Sequence, residues 1–277
     1  MSQTGLSRAP ALLARNRPRA YRRWLRYSHG LWIPAILMLI WQTLSGSGWV
    51  SARLLPSPSE LLGTLAELVE NGALLTHAGI STLRLLTGFS IGAVLGILAG
   101  TAAGLSQRVE TLFGPTFRTL RTVPLLAWVP LALLWLGSGE ATKITLIAIG
   151  AFFPVYLNVV AGIHDVDDKL LEVGGLFGLS GSLLITRVFL PAALPNLFSG
   201  LRSALTFAWM LLIAVELTAA NSGLGYLLTD GRETGRADLI IVAIVVLALL
   251  GKAGDSLLQR LKGRLLGWQD VVDSRQS

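Results

Sequence analysis

Six apolar stretches constrain this chain more than any other feature. They cover residues 31–47, 83–105, 120–136, 144–163, 197–217 and 239–258. About 20 apolar residues in helical form cross the hydrocarbon core of a bilayer. Within that core the backbone must satisfy its own hydrogen bonds, so each stretch is expected to be a helix. Composition agrees. Of 277 residues, 52% are hydrophobic and 14% charged, where a soluble domain carries about 25% charged residues. The sequence reads as an all-α polytopic membrane protein with about six transmembrane helices. The first and third stretches are short and interrupted, by Pro34 and by Pro124 and Pro130.

The placement of cations sets an orientation. With the N-terminus inside, eighteen of the 23 Lys and Arg residues fall in inner segments. Arg53, Arg84, Lys143, Arg232 and Arg236 remain for the outer ones. This is the positive-inside pattern, with both termini cytoplasmic. It accounts for the net charge of +7 without nucleic acid, and the basic tail from Arg15 to Arg26 reads as an anchor beside anionic lipid. Three parts follow: a basic cytoplasmic tail over 1–30, a transmembrane domain over 31–258, and a cytoplasmic tail over 259–277. Trp41, Gln42 and Trp49 stand where a signal-peptide cleavage site needs small residues, so the first helix reads as uncleaved. In the outer segment from Val50 to Thr82, Ser57 or Ser59 is placed to cap a short helix from about Glu60 to Asn71.

Two local patterns stand out. Gly88, Gly92, Gly96, Gly100 and Gly104 recur every four residues and share one helix face. Such a face lets another helix approach closely. It serves either packing within the chain or a sliding surface during a conformational cycle. The second pattern lies between the fourth and fifth stretches. Asp165, Asp167, Asp168, Lys169 and Glu172 open it, and Leu170, Leu171, Val173 and Phe177 follow at near-helical spacing. Gly178-Leu179-Ser180-Gly181 forms a turn, and a second short helix from Leu183 to Phe189 is expected to stop at Leu190-Pro191. An amphipathic helix–turn–helix of this kind can seat an apolar ridge in a partner's groove.

The spacing Glu172-Val173-Gly174, Gly178, Val188, Leu190-Pro191 resembles the EAA loop of ABC importer permeases, E-A-A-x3-G-x9-I-x-L-P, with Val173 and Gly174 in place of the alanines. Further stretches carry the resemblance: Arg121 to Leu131, Leu134 to Gly137 with Glu140, Phe152 to Asn158, Ala192 to Pro195, Gly200 to Arg202, and Glu216 to Tyr226. Together they look like the permeases for aliphatic sulfonates, taurine, nitrate and related small anions. Ala219 to Tyr226 and Val242 to Asp255 are most similar to the aliphatic-sulfonate branch. The resemblance covers about residues 30–265. It implies the type I importer permease fold in a bacterial inner membrane, with a coupling loop over about 164–196. It implies two permease copies as a homodimer, two cytoplasmic ATPase subunits and a substrate-binding protein outside. Glu172, Gly178, Val188, Leu190 and Pro191 would make the contact through which nucleotide-driven closure of the ATPases tilts the spans.

No phosphate loop of the form G-x4-G-K-[ST] occurs, so ATP and Mg belong to the partner. Cys is absent, and His29, His77 and His164 are far apart, which leaves neither a metal cluster nor an enzyme's acid–base set. An ion-coupled secondary transporter is the competing class, but the middle of the membrane is almost free of charge. Glu216 near the outer end of the fifth stretch either lines the path or pairs with a base such as Arg84. Asn221 and Trp209 are path candidates beside it. Trp128, bracketed by Pro124 and Pro130, is expected on a bent helix that exposes backbone amides to a cavity. Trp135 reads as an interface anchor.

Overall fold

A computed structural model describes residues 19–47, 51 and 53–267, with the side chains of 19–31, 118 and 121 left aside. The first eighteen residues and those from 268 onward, including most of both expected tails, lie outside the described residues. The chain divides into two compact units, Met1–Ser59 and Glu60–Ser277.

In the first unit, α1 (Arg19–Gly46) runs through Pro34 without a break. The expected interruption is absent, since one lost backbone bond is tolerated in an otherwise helical apolar segment. The segment after α1 folds back on it. The Trp41 indole N–H donates to the Pro56 carbonyl at 3.1 Å. The Gln42 amide donates to Ser59 Oγ at 3.2 Å and accepts from the Ser59 N–H at 3.3 Å.

The second unit contains α2 (Pro58–Glu70) for nearly all its length, α3 (Ala73–Leu105), α4 (Gln107–Thr122), α5 (Trp128–Leu136) and α6 (Glu140–His164). It continues with α7 (Asp168–Leu176), α8 (Ser182–Leu184), α9 (Leu190–Ala219), α10 (Leu224–Thr234) and α11 (Ala237–Leu265). Among the described residues no strand occurs. α3, α6, the continuous helix Ser182–Ala219 and α11 are long and apolar enough to cross a membrane. The apolar pieces Trp32–Gly46 and Leu125–Leu136 are shorter.

α3 starts ten residues before the expected span. Gly72, at φ +73°, turns the chain out of α2, and the Asn71 side chain accepts from the Ala73 N–H at 2.9 Å. The stretch up to Thr82, read as loop, is therefore helix, and Arg84 stands well inside α3. The third expected span is a broken element. α4 ends at Thr122, Val123 and Pro124 are extended, and a single 3-10 turn (Leu125–Ala127) leads into α5. Pro130 does not interrupt α5, because it sits in the first turn, where the N–H has no partner within the helix.

The core is a three-helix slab with α6 between α3 and α9. The glycine ladder makes it possible. A Cβ at Gly88 would meet the Ile147 side chain at 2.7 Å, and one at Gly92 the Ala148 carbonyl at only 2.2 Å. Gly96, Gly100 and Gly104 face Val155, Val159 and Ile163 in the same way. Residue numbers rise together along both helices, so α3 and α6 run parallel. From α6, Gly150 meets Leu211 and Gly162 meets Asn196, which makes α9 antiparallel to it. Ile147, Ala151, Val155, Ala204, Ala208 and Leu212 are fully buried along these seams. With small residues the backbones approach closely, and dispersion replaces the missing hydrophobic drive between helices in lipid. A second cluster holds α2, α10 and α11 around Leu68, Leu224, Leu227, Leu239 and Val242. The Thr64 hydroxyl donates to Asp238 at 2.7 Å, and Arg236 bridges Asp238 and Glu67.

Candidate coupling loop and buried ion network

The parallel slab has two chemically different ends. At one, α6 gives way to α7. Asp167 caps α7 by accepting from the Lys169 N–H at 3.0 Å. The helix closes with the Leu179 N–H on the Gly174 carbonyl at 2.9 Å and with Gly178 at φ +70°. A left-handed residue in that position is where glycine costs least. Gly181, at φ +55°, turns the chain again.

Pro191 does not end the second helix. Ile185–Phe189 is one π-turn, and α9 begins at Leu190 with Pro191 in its first turn. The wider turn upstream makes room for the carbonyl that a proline ring would strike. The helix thus runs from the loop into the membrane span as one 38-residue rod.

The five loop residues are distributed over different surfaces. Glu172 is exposed on α7. Val188 packs near Gly174, where a Cβ would lie 2.9 Å from Leu184 Cδ1 and 3.4 Å from Val188 Cγ2. Val188 and Pro191 line a groove of about 530 Å3 with Leu170, Val173, Gly174 and Phe177. Leu190 points elsewhere, into a crevice with Ile97, Leu105 and Ile163. Leu176 and Phe177 stand out on α7, 87% and 81% exposed. Gly174, read from sequence as a departure from a pattern, is the residue whose smallness lets the two short helices meet.

At the opposite end lies a buried ion network. Arg84 is 4% exposed. Its guanidinium donates to both Glu140 oxygens, at 2.7 and 2.6 Å, to Glu216 Oε1 at 2.7 Å and to the Ser222 carbonyl at 2.6 Å. Glu216 also accepts from the Ser81 hydroxyl at 2.8 Å and from the Gly225 N–H at 2.9 Å. Lys143, buried as well, reaches Glu140 Oε1 at 2.8 Å. The segment after α9 is tied to α3: the Leu224 N–H donates to Ser81 Oγ and the Gly223 N–H to His77 Nδ1. Gly223 is at φ +117°, and a Cβ there would lie 2.3 Å from Glu216 Oε1. Of the two roles open to Glu216, this geometry places it in the pair with Arg84. Glu140, Lys143, Ser81 and Ser222 are not joined to Arg84 or Glu216 by a sequence reading. Their one signal is the Glu140–Lys143 spacing of three residues at the start of an apolar helix.

The remaining candidates are scattered. Asn221 is exposed beside the network. Trp209 packs between the α10–α11 cluster and the slab, its buried indole N–H without a hydrogen-bond partner. Trp128 lines a cavity of about 410 Å3 with Trp135, Phe152 and Leu211, and Trp135 is itself largely exposed. The helix break at Val123 and Pro124 opens on another cavity, about 480 Å3, beside Phe153, Asn158 and Phe207. Three amides of this segment are engaged locally. The Val123, Ala127 and Trp128 N–H groups donate to carbonyls of their own segment, because the 3-10 turn closes locally.

Four helices of membrane-spanning length and apolarity, with a capped helix–turn–helix at one end of the slab, define an all-helical polytopic membrane protein. The family described as binding-protein-dependent transport system inner membrane component matches residues 92–267. The chain is 42% identical over 250 residues to SsuC of Bacillus subtilis (strain 168), by name an aliphatic sulfonates transport permease protein, with 90% of each chain covered. It is also 42% identical to SsuC of Escherichia coli (strain K12), covering 92% of this chain and 97% of that one. The taurine transport system permease protein TauC of the same strain is 32% identical, over 86% and 88%. In fold, it is similar to a chain from the crystal structure of an amino acid ABC transporter with histidines. The TM-score is 0.59 at 17% identity, covering 72% of this chain and 97% of that one. The chain belongs to the family of inner-membrane permease components of binding-protein-dependent ABC transport systems.

Proposed function

We propose that this chain is the permease subunit of an ATP-driven importer of aliphatic sulfonates. It spans the membrane six times with both termini cytoplasmic and acts as a homodimer with two ATPase subunits and an external binding protein. The observation that carries the coupling role is the apolar surface of α7 beside its groove, at the end of the slab away from the ion network. Leu176 and Phe177 have no reason to face water in an isolated subunit. They suit insertion into a partner's cleft, and Glu172 beside them suits a charge-assisted contact at its rim. The rod Ser182–Ala219 then carries displacement at the loop into the span as a rigid body. The substrate class rests on the two SsuC relatives and on their similarity over nearly the whole chain.

Growth of a strain lacking the gene, on ethanesulfonate as sole sulfur source with sulfate as control, tests the reading. The expected result is failure on the sulfonate alone, restored by the wild-type gene and not by a Glu172→Ala/Gly178→Asp double variant. Normal growth of the deletion strain, with no other sulfonate importer present, removes the substrate assignment and directs the test to taurine and nitrate.

A further inference from the structure

The ion network holds two carboxylates that differ in one respect. Glu216 is 1% exposed and fully engaged: Arg84, Ser81 and the Gly225 amide all donate to it. The Glu140 side chain is 56% exposed, yet the cations it neutralises, Arg84 and Lys143, are both buried. Glu140 is therefore the solvent-facing member set over two buried cations. Its hold is bidentate on Arg84, with Lys143 as a third donor, an arrangement that any small oxyanion can reproduce. Glu140 is also the residue best placed to leave. It opens α6, follows Gly137-Ser138-Gly139, and Gly137 is at φ +75°. Without Glu140 the cradle holds Arg84, Lys143 and Glu216, one net positive charge on largely buried groups. A buried unpaired charge is strongly unfavourable, so departure requires a replacement, and the charge that replaces it is a monoanion.

We propose that Arg84 and Lys143 form an exchangeable oxyanion site, occupied at rest by the Glu140 carboxylate and able to take the headgroup of a small monoanion in its place. The inference rests on the sulfonate reading only for the identity of that anion. Glu140 is the internal surrogate of the ligand, and the Arg84–Glu216 pair is the fixed wall.

Chemical rescue tests it on the full-length chain purified in detergent. Glu140→Ala empties the cradle and lowers the melting midpoint. Ethanesulfonate, nitrate or acetate at tens of millimolar should restore about 3 °C or more beyond potassium chloride of equal ionic strength. Wild type should show no such difference, and neither should Glu140→Ala/Lys143→Met, which lacks the second cation. Glu140→Ser, which also vacates the cradle, is measured in parallel and read in the same way if Glu140→Ala does not purify as a single species. If oxyanions and chloride act alike on the variants, Glu140 is an ordinary structural partner and the site does not exist. Uptake of ethanesulfonate by wild type is measured separately. Uptake without rescue overturns the site alone, whereas rescue without uptake keeps the site and overturns the sulfonate assignment.

Discussion

Glu216 shows what one residue does in this fold. It is the buried acid of α9, held by two donors from α3, Arg84 and Ser81, and by the Gly225 N–H at the start of α10. Removing one partner of such a pair costs about 3–5 kcal/mol, most of it the charge left behind on Arg84. Glu216→Ala should therefore lower the melting midpoint in detergent by about 10 °C. Gly223→Ala should move it in the same direction, because its Cβ meets the Glu216 carboxylate and its φ of +117° disfavours any other residue. Asn221→Ala, one turn of loop away and exposed, should melt with wild type. Equal midpoints for all three would show that the network contributes nothing to stability. A sequence reading reaches the Arg84–Glu216 pair as one of two options, since an acid at that depth needs a base. It does not join Glu140 or Lys143 to that pair, because charges at the start of an apolar helix are usually solvated.

At the scale of elements, the two short helices of the loop form one device with the rod that follows. Gly174 lets α7 lie against α8 and the π-turn, Gly178 ends α7, and the π-turn passes the chain through Pro191 without breaking it. Replacing Leu176 and Phe177 with serine should leave insertion and the melting midpoint unchanged while ATPase co-purification falls at least about tenfold. Undiminished co-purification would assign docking to another surface. The helix–turn–helix itself was legible from amphipathic spacing and two glycines. Its far end was not, since Pro191 reads as a stop unless the wider turn upstream is known. The same limit moved the start of α3, where Gly72 and Asn71 organise a turn ten residues before the apolar run begins.

At the scale of the whole molecule, α3 and α6 run parallel, α9 returns antiparallel on the other side of α6, and the ion network and the loop occupy opposite ends of the slab. The orientation proposed above predicts a labelling pattern, made simple by the absence of cysteine in the sequence. Ser51→Cys should react with an impermeant maleimide in intact cells. Gln107→Cys and Ser180→Cys should react only after permeabilisation, and Ser180→Cys should become protected when the ATPase is bound. Labelling of Ser180→Cys in intact cells would reverse the proposed orientation. What the sequence by itself determined is the solvent and the class. Long runs without charge can only be satisfied as helices in lipid, and the pattern from Glu172 to Pro191 marks the permease family, because both are periodic or local signals. The tertiary structure decided which charges meet. Arg84, Glu140, Lys143, Glu216 and Ser222 span well over a hundred positions, and only the close approach that the glycine ladder permits brings them within hydrogen-bonding distance. Electrostatic pairing depends on separation in space, and no spacing along the chain encodes it.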